Sequence, residues 1–156
     1  MTQTIDAAVA DRLEISDLTA RFTDAVNRRS PADVGALFAD EGEWHVPGLP
    51  VAAGPAAAEE QFAGLLGTFT RLVQLLHGGT VTVTGDTATA TWYITEFAGT
   101  DGGKAFHFIG VYRDGLTRTR DGWRFATRAF DFLYRARGDA DAKWYPHPLA
   151  SAVPAT

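Results

Sequence analysis

The chain contains no cysteine and a single methionine among its 156 residues. Disulfides, thiolate nucleophiles, Cys-ligated zinc and iron–sulfur clusters are thereby excluded together. Basic residues are also few. The 14 Lys+Arg stand against 19 Asp+Glu, for a net charge of −5 and a pI near 5.2. Nucleic acid and anionic membranes are not expected as partners, because counterion release needs clustered Lys and Arg. No apolar run approaches the roughly 20 residues of a membrane span. Met1 to Asp11 has neither the basic nor the apolar segment of a secretion signal, so a cytoplasmic location is expected. Cofactor motifs are missing as well: there is no Walker loop, no Rossmann fingerprint, no HExxH and no HxxxH. GTDGG at 99–103 reads as a hairpin loop, and His45, His107 and His147 show no metal-ligand spacing. Neither a cofactor nor a metal is expected.

What is present is ordinary in bulk and rich in rings. The chain is 46% hydrophobic and 21% charged, and carries ten Phe, four Trp and four Tyr. That composition describes one folded domain with a large apolar core or an apolar pocket. Ile15, Leu18, Phe22 and Val26 recur at helical spacing and predict a helix over 9–28. Ser30-Pro31 opens a short second helix, with Val34, Leu37 and Phe38 inward. Glu43 to Val46 reads as a strand ended by Pro47-Gly48. Gly54-Pro55 precedes a third helix over 56–69. The period then changes to two. Strands are predicted over 73–84, 87–97, 106–117 and 123–134, with turns at Gly85-Asp86, 99–103 and Asp121-Gly122. Helices first and hairpin-linked strands last make an α+β fold. The expected architecture is a cone-shaped α+β barrel, with three N-terminal helices packed in a strongly curved, mostly antiparallel sheet. A cavity opens at its wide end. The domain is expected over 1–134, and 135–156, rich in Ala, Pro and Asp, reads as an irregular tail.

A few polar residues interrupt apolar strands. Glu96 shares a face with Ala88, Ala90, Trp92 and Ile94, the expected concave face. A carboxyl there has a raised pKa and serves as a general acid or base, unless the strand end lets it reach solvent. Arg128 lies between Phe125 and Phe130 and needs an acceptor. That acceptor is either a substrate oxyanion or a helix carboxylate in a structural salt bridge. His77, between Leu76 and Gly78, is a pocket base or a satisfied core histidine. Tyr112 and Tyr93 are candidate phenol donors. Trp44, Trp92, Ile94, Phe108, Phe130 and Phe132 are candidate cavity walls or simply core. Asp24 is a surface residue or a pocket carboxylate, and periodicity alone turns Asn27 to solvent.

The stretches "EISDLTARFTDAVNRRSPADVGALFADEGEWHVPG", "LLHGGTVTV", "ATATWYITEF" and "GVYRDGLTRTRDGWRFATRAFDF", in this order over roughly residues 10–134, resemble SnoaL-like proteins. These belong to the nuclear-transport-factor-2-like superfamily, and the layout is most similar to its scytalone dehydratase and hexachlorocyclohexane dehydrochlorinase branch. The resemblance implies a pocket His at His77, a pocket Arg at Arg128, and Asn27 where the branch carries the Asp that partners its His. An amide orients an imidazole but carries no charge to stabilise an imidazolium, so such a pair is a weaker base. The implied function is cofactor-independent acid–base chemistry of the dehydratase, isomerase or cyclase type. Its substrate would be small, hydrophobic and polyketide- or terpenoid-like. His77 would act as base, Asn27 or Glu96 would assist, and Arg128 would hold developing negative charge. The Ala, Gly and Arg usage is associated with bacterial natural-product pathways. Two alternatives stand beside this one. The first is a non-catalytic binding or assembly module of the same fold. The second is epoxide hydrolysis by Arg128 with Glu96 or Asp24. The resemblance further implies a homodimer or homotrimer through the outer face of 87–97, and the tail is expected over the pocket mouth.

Overall fold

The structure, a computed structural model, describes residues 6–150. It opens with α1 (Ala7–Asn27), whose N-terminus is capped by the Asp6 carboxylate accepting from the Ala8 amide at 3.2 Å. The stripe Ile15, Leu18, Phe22 and Val26 is buried, as its spacing predicts. After a single helical turn, α2 (Pro31–Gly35), comes β1 (Phe38–His45), then β2 (Ala52–Ala53) and α3 (Pro55–Thr68). Four long strands follow: β3 (Arg71–Thr84), β4 (Thr87–Gly99), β5 (Ala105–Thr119) and β6 (Gly122–Arg137).

The six strands form one mixed sheet in the order β2-β1-β6-β5-β4-β3. Only β1 and β6 run parallel; the other neighbours are antiparallel. The sheet curves but does not close, since β2 and β3 are its edges. This is the α+β cone that the element order predicts. α1 packs inside the curve against β3 and β6, and α3 lies beside β1 and β2. The core is therefore the inner face of the sheet and the apolar stripe of α1. Phe22 is its hub, edge-on to Phe38, Trp44, Tyr112 and Phe125 at centroid distances of 5.6 to 6.4 Å.

The sequence reading places several boundaries differently. β1 begins at Phe38 rather than Glu43, because Phe38 already pairs with Phe125 across an irregularity in the ladder. The two-residue β2 lies among Ala, Gly and Pro, and nothing in its pattern marks a strand. The end of β6 matters most. It continues to Arg137, paired with Phe106, so residues 135–137 belong to the sheet and not to a tail. Beyond it, residues 138–150 have no regular structure; Trp144 lies against Gly99 and Arg71, and none of these residues lines the cavity described below. Residues 151–156, the end of the expected tail, lie outside the described residues.

Two glycines permit close approaches. Gly79 follows a bulge in β3 and lies against the Thr91 carbonyl and the Trp92 ring, where a Cβ has no room. Gly110 leaves the space that the Phe130 ring fills. Gly110→Ala should therefore overpack the inner face and destabilise the fold by about 1–3 kcal/mol. Urea denaturation midpoints of the two proteins measure this, and an unchanged midpoint would contradict the packing described.

Candidate functional site

Between α1, α3 and the curved sheet lies a cavity of about 290 Å³. That is at the lower end of the roughly 300–1,000 Å³ typical of small-molecule sites. Its walls are apolar: Val26, Phe62 and Leu65 from the helices, Trp44 from β1, Phe108 from β5, and Phe130 and Phe132 from β6. Glu96 and Arg135 are the charged side chains among the described lining residues, and Gln74 and Tyr112 are polar neighbours of Glu96.

These polar groups are held by a second stripe on α1. Thr19, Thr23 and Asn27 recur every four residues and so share one helix face. Asn27 grips the backbone of β3 at Gln74: its Nδ2 donates to the Gln74 carbonyl and its Oδ1 accepts from the Gln74 amide, both at 2.8 Å. Thr23 donates its hydroxyl to the Gln74 side-chain oxygen at 3.1 Å. The Gln74 Nε2 then donates to Glu96 Oε2 at 3.0 Å and to the Tyr112 hydroxyl at 3.2 Å. Every hydrogen-bonding position of the Gln74 amide nitrogen is thus used, and the Tyr112 hydroxyl, as acceptor from Gln74, keeps its own proton free to donate.

Burial pushes the Glu96 carboxyl above its ordinary 4.5, partly opposed by the hydrogen bond from Gln74. Burial likewise raises the Tyr112 phenol well above its usual 10, against the pull of the Arg128 charge, so Tyr112 stays a donor throughout the physiological range. The pair supplies a carboxyl that can take a proton and a phenol that can hold an oxyanion.

Thr19, at the other end of the stripe, accepts from Arg128 Nη2 at 3.0 Å. Arg128 is fully buried beneath the cavity floor, its guanidinium 3.8 Å from the Tyr112 ring centroid and 4.2 Å from those of Phe22 and Phe125. Its Nη1 lies 3.4 Å from Asp114 in a fully buried ion pair. Burial raises Asp114 to about 6, although the Arg128 charge pulls it down.

The predicted site residues therefore divide. Glu96, Tyr112, Trp44, Phe108, Phe130 and Phe132 come together around the cavity. Trp92 and Ile94 are buried in the core behind it. Arg128 meets Asp114 of β5, a strand carboxylate, rather than a guest or the expected helix carboxylate. Asp24 is at the surface and paired with Arg28 at 2.7 Å. Asn27 faces β3, not solvent, and clamps its backbone. His77 is the clearest correction. The inward residues of β3 before its bulge are Leu72, Gln74 and Leu76, so His77 turns to the outer face, where its Nε2 lies 2.9 Å from Thr95 Oγ1. A shift of one position along a strand exchanges the faces. With His77 outside, Asn27 on the β3 backbone and Arg128 under the floor, neither the His77–Asn27 pair nor the Arg128–carboxylate set for epoxide opening assembles in the cavity. Gln74 and Arg135 are the residues the sequence reading misses. Gln74 is recognisable as the one polar residue between Leu72 and Leu76 in the inward alternation, whereas Arg135 required knowing that β6 continues.

The fold and pocket define a cone of the nuclear-transport-factor-2-like type. The SnoaL-like domain matches residues 7–129, and the chain belongs to that family. Solved structures agree. An NTF2-like protein with a cystatin-like fold from Novosphingobium aromaticivorans superposes with a TM-score of 0.69 at 29% identity, over 81% of this chain and 84% of that one. Hexachlorocyclohexane dehydrochlorinase LinA-type3 from Novosphingobium barchaimii LL02 gives 0.80 at 18% identity, over 90% and 97%. A protein of Novosphingobium aromaticivorans DSM 12444, provisionally named a scytalone dehydratase, gives 0.75 at 14% identity, over 94% and 97%. The last two likenesses are of fold alone. No curated protein matches the sequence. Among the described residues no helix is long and apolar enough to cross a membrane.

The Asp114–Arg128 pair makes a pH-dependent prediction. With Asp114 at about 6 when folded and 3.8 when unfolded, its contribution to stability is complete below 3.8 and is lost as pH rises through about 6. The unfolding free energy of the wild type relative to Asp114→Asn should therefore fall across that window. Urea titrations on either side of it test this, and a difference that is flat or grows with pH would contradict it.

Proposed function

We propose that this protein is a cofactor-independent enzyme that moves a proton on a small hydrophobic carbonyl compound, with Glu96 as the acid–base group and Tyr112 as the oxyanion donor. The observation that carries this reading is the sharing of one amide, Gln74 Nε2, by a half-buried carboxyl and a buried phenol in an apolar cavity. Glu96 Oε2 is occupied by Gln74, and the second carboxyl oxygen takes the proton from the carbon next to the substrate carbonyl. The released electron pair moves onto the carbonyl oxygen, which accepts from the Tyr112 hydroxyl. Returning the proton to another carbon completes an isomerisation. Delivering it to a departing hydroxyl completes a dehydration, and attack of the enolate on a second carbonyl completes a cyclisation. The names of the two structural neighbours, one for loss of hydrogen chloride and one for loss of water, favour elimination within this group. Self-association is proposed through the outer sheet face, where Leu75, Tyr93, Phe97 and Ile109 are exposed.

A binding module without turnover is the second reading. It is favoured by the absence of an imidazole from the cavity, since His77 lies outside. Solvent exchange separates the two. In D2O the enzyme should wash deuterium into the methyl group of acetophenone, followed by proton NMR. Glu96→Gln should slow the exchange by about 10²- to 10⁴-fold, and Tyr112→Phe by about 10²-fold or more. The rate should rise with pH through the Glu96 ionisation, above 4.5, because the base is the carboxylate. Exchange at the wild-type rate in Glu96→Gln would overturn the assignment.

A further inference from the structure

We infer that the cavity is built for an aromatic or alicyclic carboxylate, held in one orientation: its anionic end at Arg135 and its carbonyl or hydroxyl end at Glu96 and Tyr112. The inference rests on the reading of Glu96 and Tyr112 as the reacting end.

The observation is a single row across four strands. Gln74 of β3 pairs with Glu96 of β4, Glu96 with Phe108 of β5, and Phe108 with Arg135 of β6. Residues directly opposite one another in a ladder point to the same face, and all four side chains line the cavity. Read along the row, the wall presents an amide, a carboxyl, a phenyl ring and a guanidinium. Strand spacing sets the two charged positions about 10 Å apart along the sheet. Phe108 stands between them, a flat surface on which a ring can lie.

The two ends differ in solvation. Glu96 is desolvated and holds its proton more tightly than usual. Arg135 is exposed, and its guanidinium sits over the outer rings of the cavity, 5.9 Å from Phe108 and 5.7 Å from Phe132. Among the described residues Arg135 forms no ion pair, whereas Arg28, Arg113 and Arg118 each engage a carboxylate within 3.0 Å. Its fork is therefore available to a planar anion while its charge stays within cation–π range of Phe108 and Phe132. A carboxylate entering the other way would face the Glu96 carboxyl, where two anions repel unless the pair keeps a proton between them. Both charges thus select the same orientation, and a neutral carbonyl at the far end is what Tyr112 can hold.

Binding to two probes tests the inference: 4-acetylbenzoate, with a carboxylate opposite a ketone, and its methyl ester. Titration calorimetry at neutral pH should show the acid bound more tightly than the ester. Arg135→Gln should weaken the acid about five- to tenfold, a partly exposed charged hydrogen bond, and leave the ester unchanged. Arg135→Lys should recover part of the loss, because charge returns without the fork. Glu96→Gln should retain the preference for the acid. An ester bound as well as the acid, a loss in Arg135→Gln shared equally by both probes, or no binding of the acid would each overturn the inference. Selective binding of the acid without solvent exchange at its methyl group would instead leave the ligand class standing and sink the catalytic reading.

Discussion

The site depends on one interaction, the grip of α1 on β3 at Gln74. Without it the inner face of an open sheet would be an apolar surface with a carboxyl at its edge. Asn27 fixes the backbone of Gln74 by two hydrogen bonds, and Thr23 fixes its side-chain oxygen. With the oxygen committed, the amide nitrogen can only point at Glu96 and Tyr112. A helix face of two threonines and an asparagine therefore determines which lone pairs and which proton remain available in the cavity. The same stripe reaches Arg128 through Thr19. Hydrogen bonds in such a dry environment are worth making and costly to leave unmade, so the network resists rearrangement.

Charge is distributed accordingly. The cation beneath the cavity floor, Arg128, is enclosed by Phe22, Tyr112 and Phe125 and compensated by Asp114. Its guanidinium lies against the Tyr112 ring, which lines the cavity. The cation that lines the cavity is instead Arg135, which forms no ion pair among the described residues and lies on the same side of the sheet at the other end of the phenyl surface. The reacting end is left with neutral donors and a carboxyl whose charge depends on its occupant.

Much of this was legible in the sequence. The period-two alternation of 87–97 assigns Glu96 to the concave face with Ala88, Ala90 and Ile94, and the ladder with β5 agrees. The helical stripe of Ile15, Leu18, Phe22 and Val26 is the core of α1. Of the aromatics that read equally as wall or core, Trp44, Phe108, Phe130 and Phe132 line the cavity. What failed did so for identifiable reasons. His77 was placed by its likeness to a family position, whereas the parity set by Leu72, Gln74 and Leu76 turns it outward, just ahead of a bulge. The apolar stripe of α1 alone turns Asn27 to solvent, whereas its four-residue spacing from Thr23 and Thr19 puts it on the polar stripe that faces the sheet. Arg135 followed Tyr134 into what read as a tail, and no local signal marks the continuation of β6, which is sustained by its ladder with β5. These are long-range facts, carried by register rather than by composition.

The central claim is that Glu96 is a desolvated carboxyl held by Gln74. A pH titration of its side-chain carboxyl by carbon NMR, assigned by difference against Glu96→Gln, measures it most directly. The account predicts a midpoint above 4.5 in the wild type and a higher one in Gln74→Leu, where the stabilising donor is gone and the burial is not. A midpoint at or below 4.5, unmoved by Gln74→Leu, would contradict it.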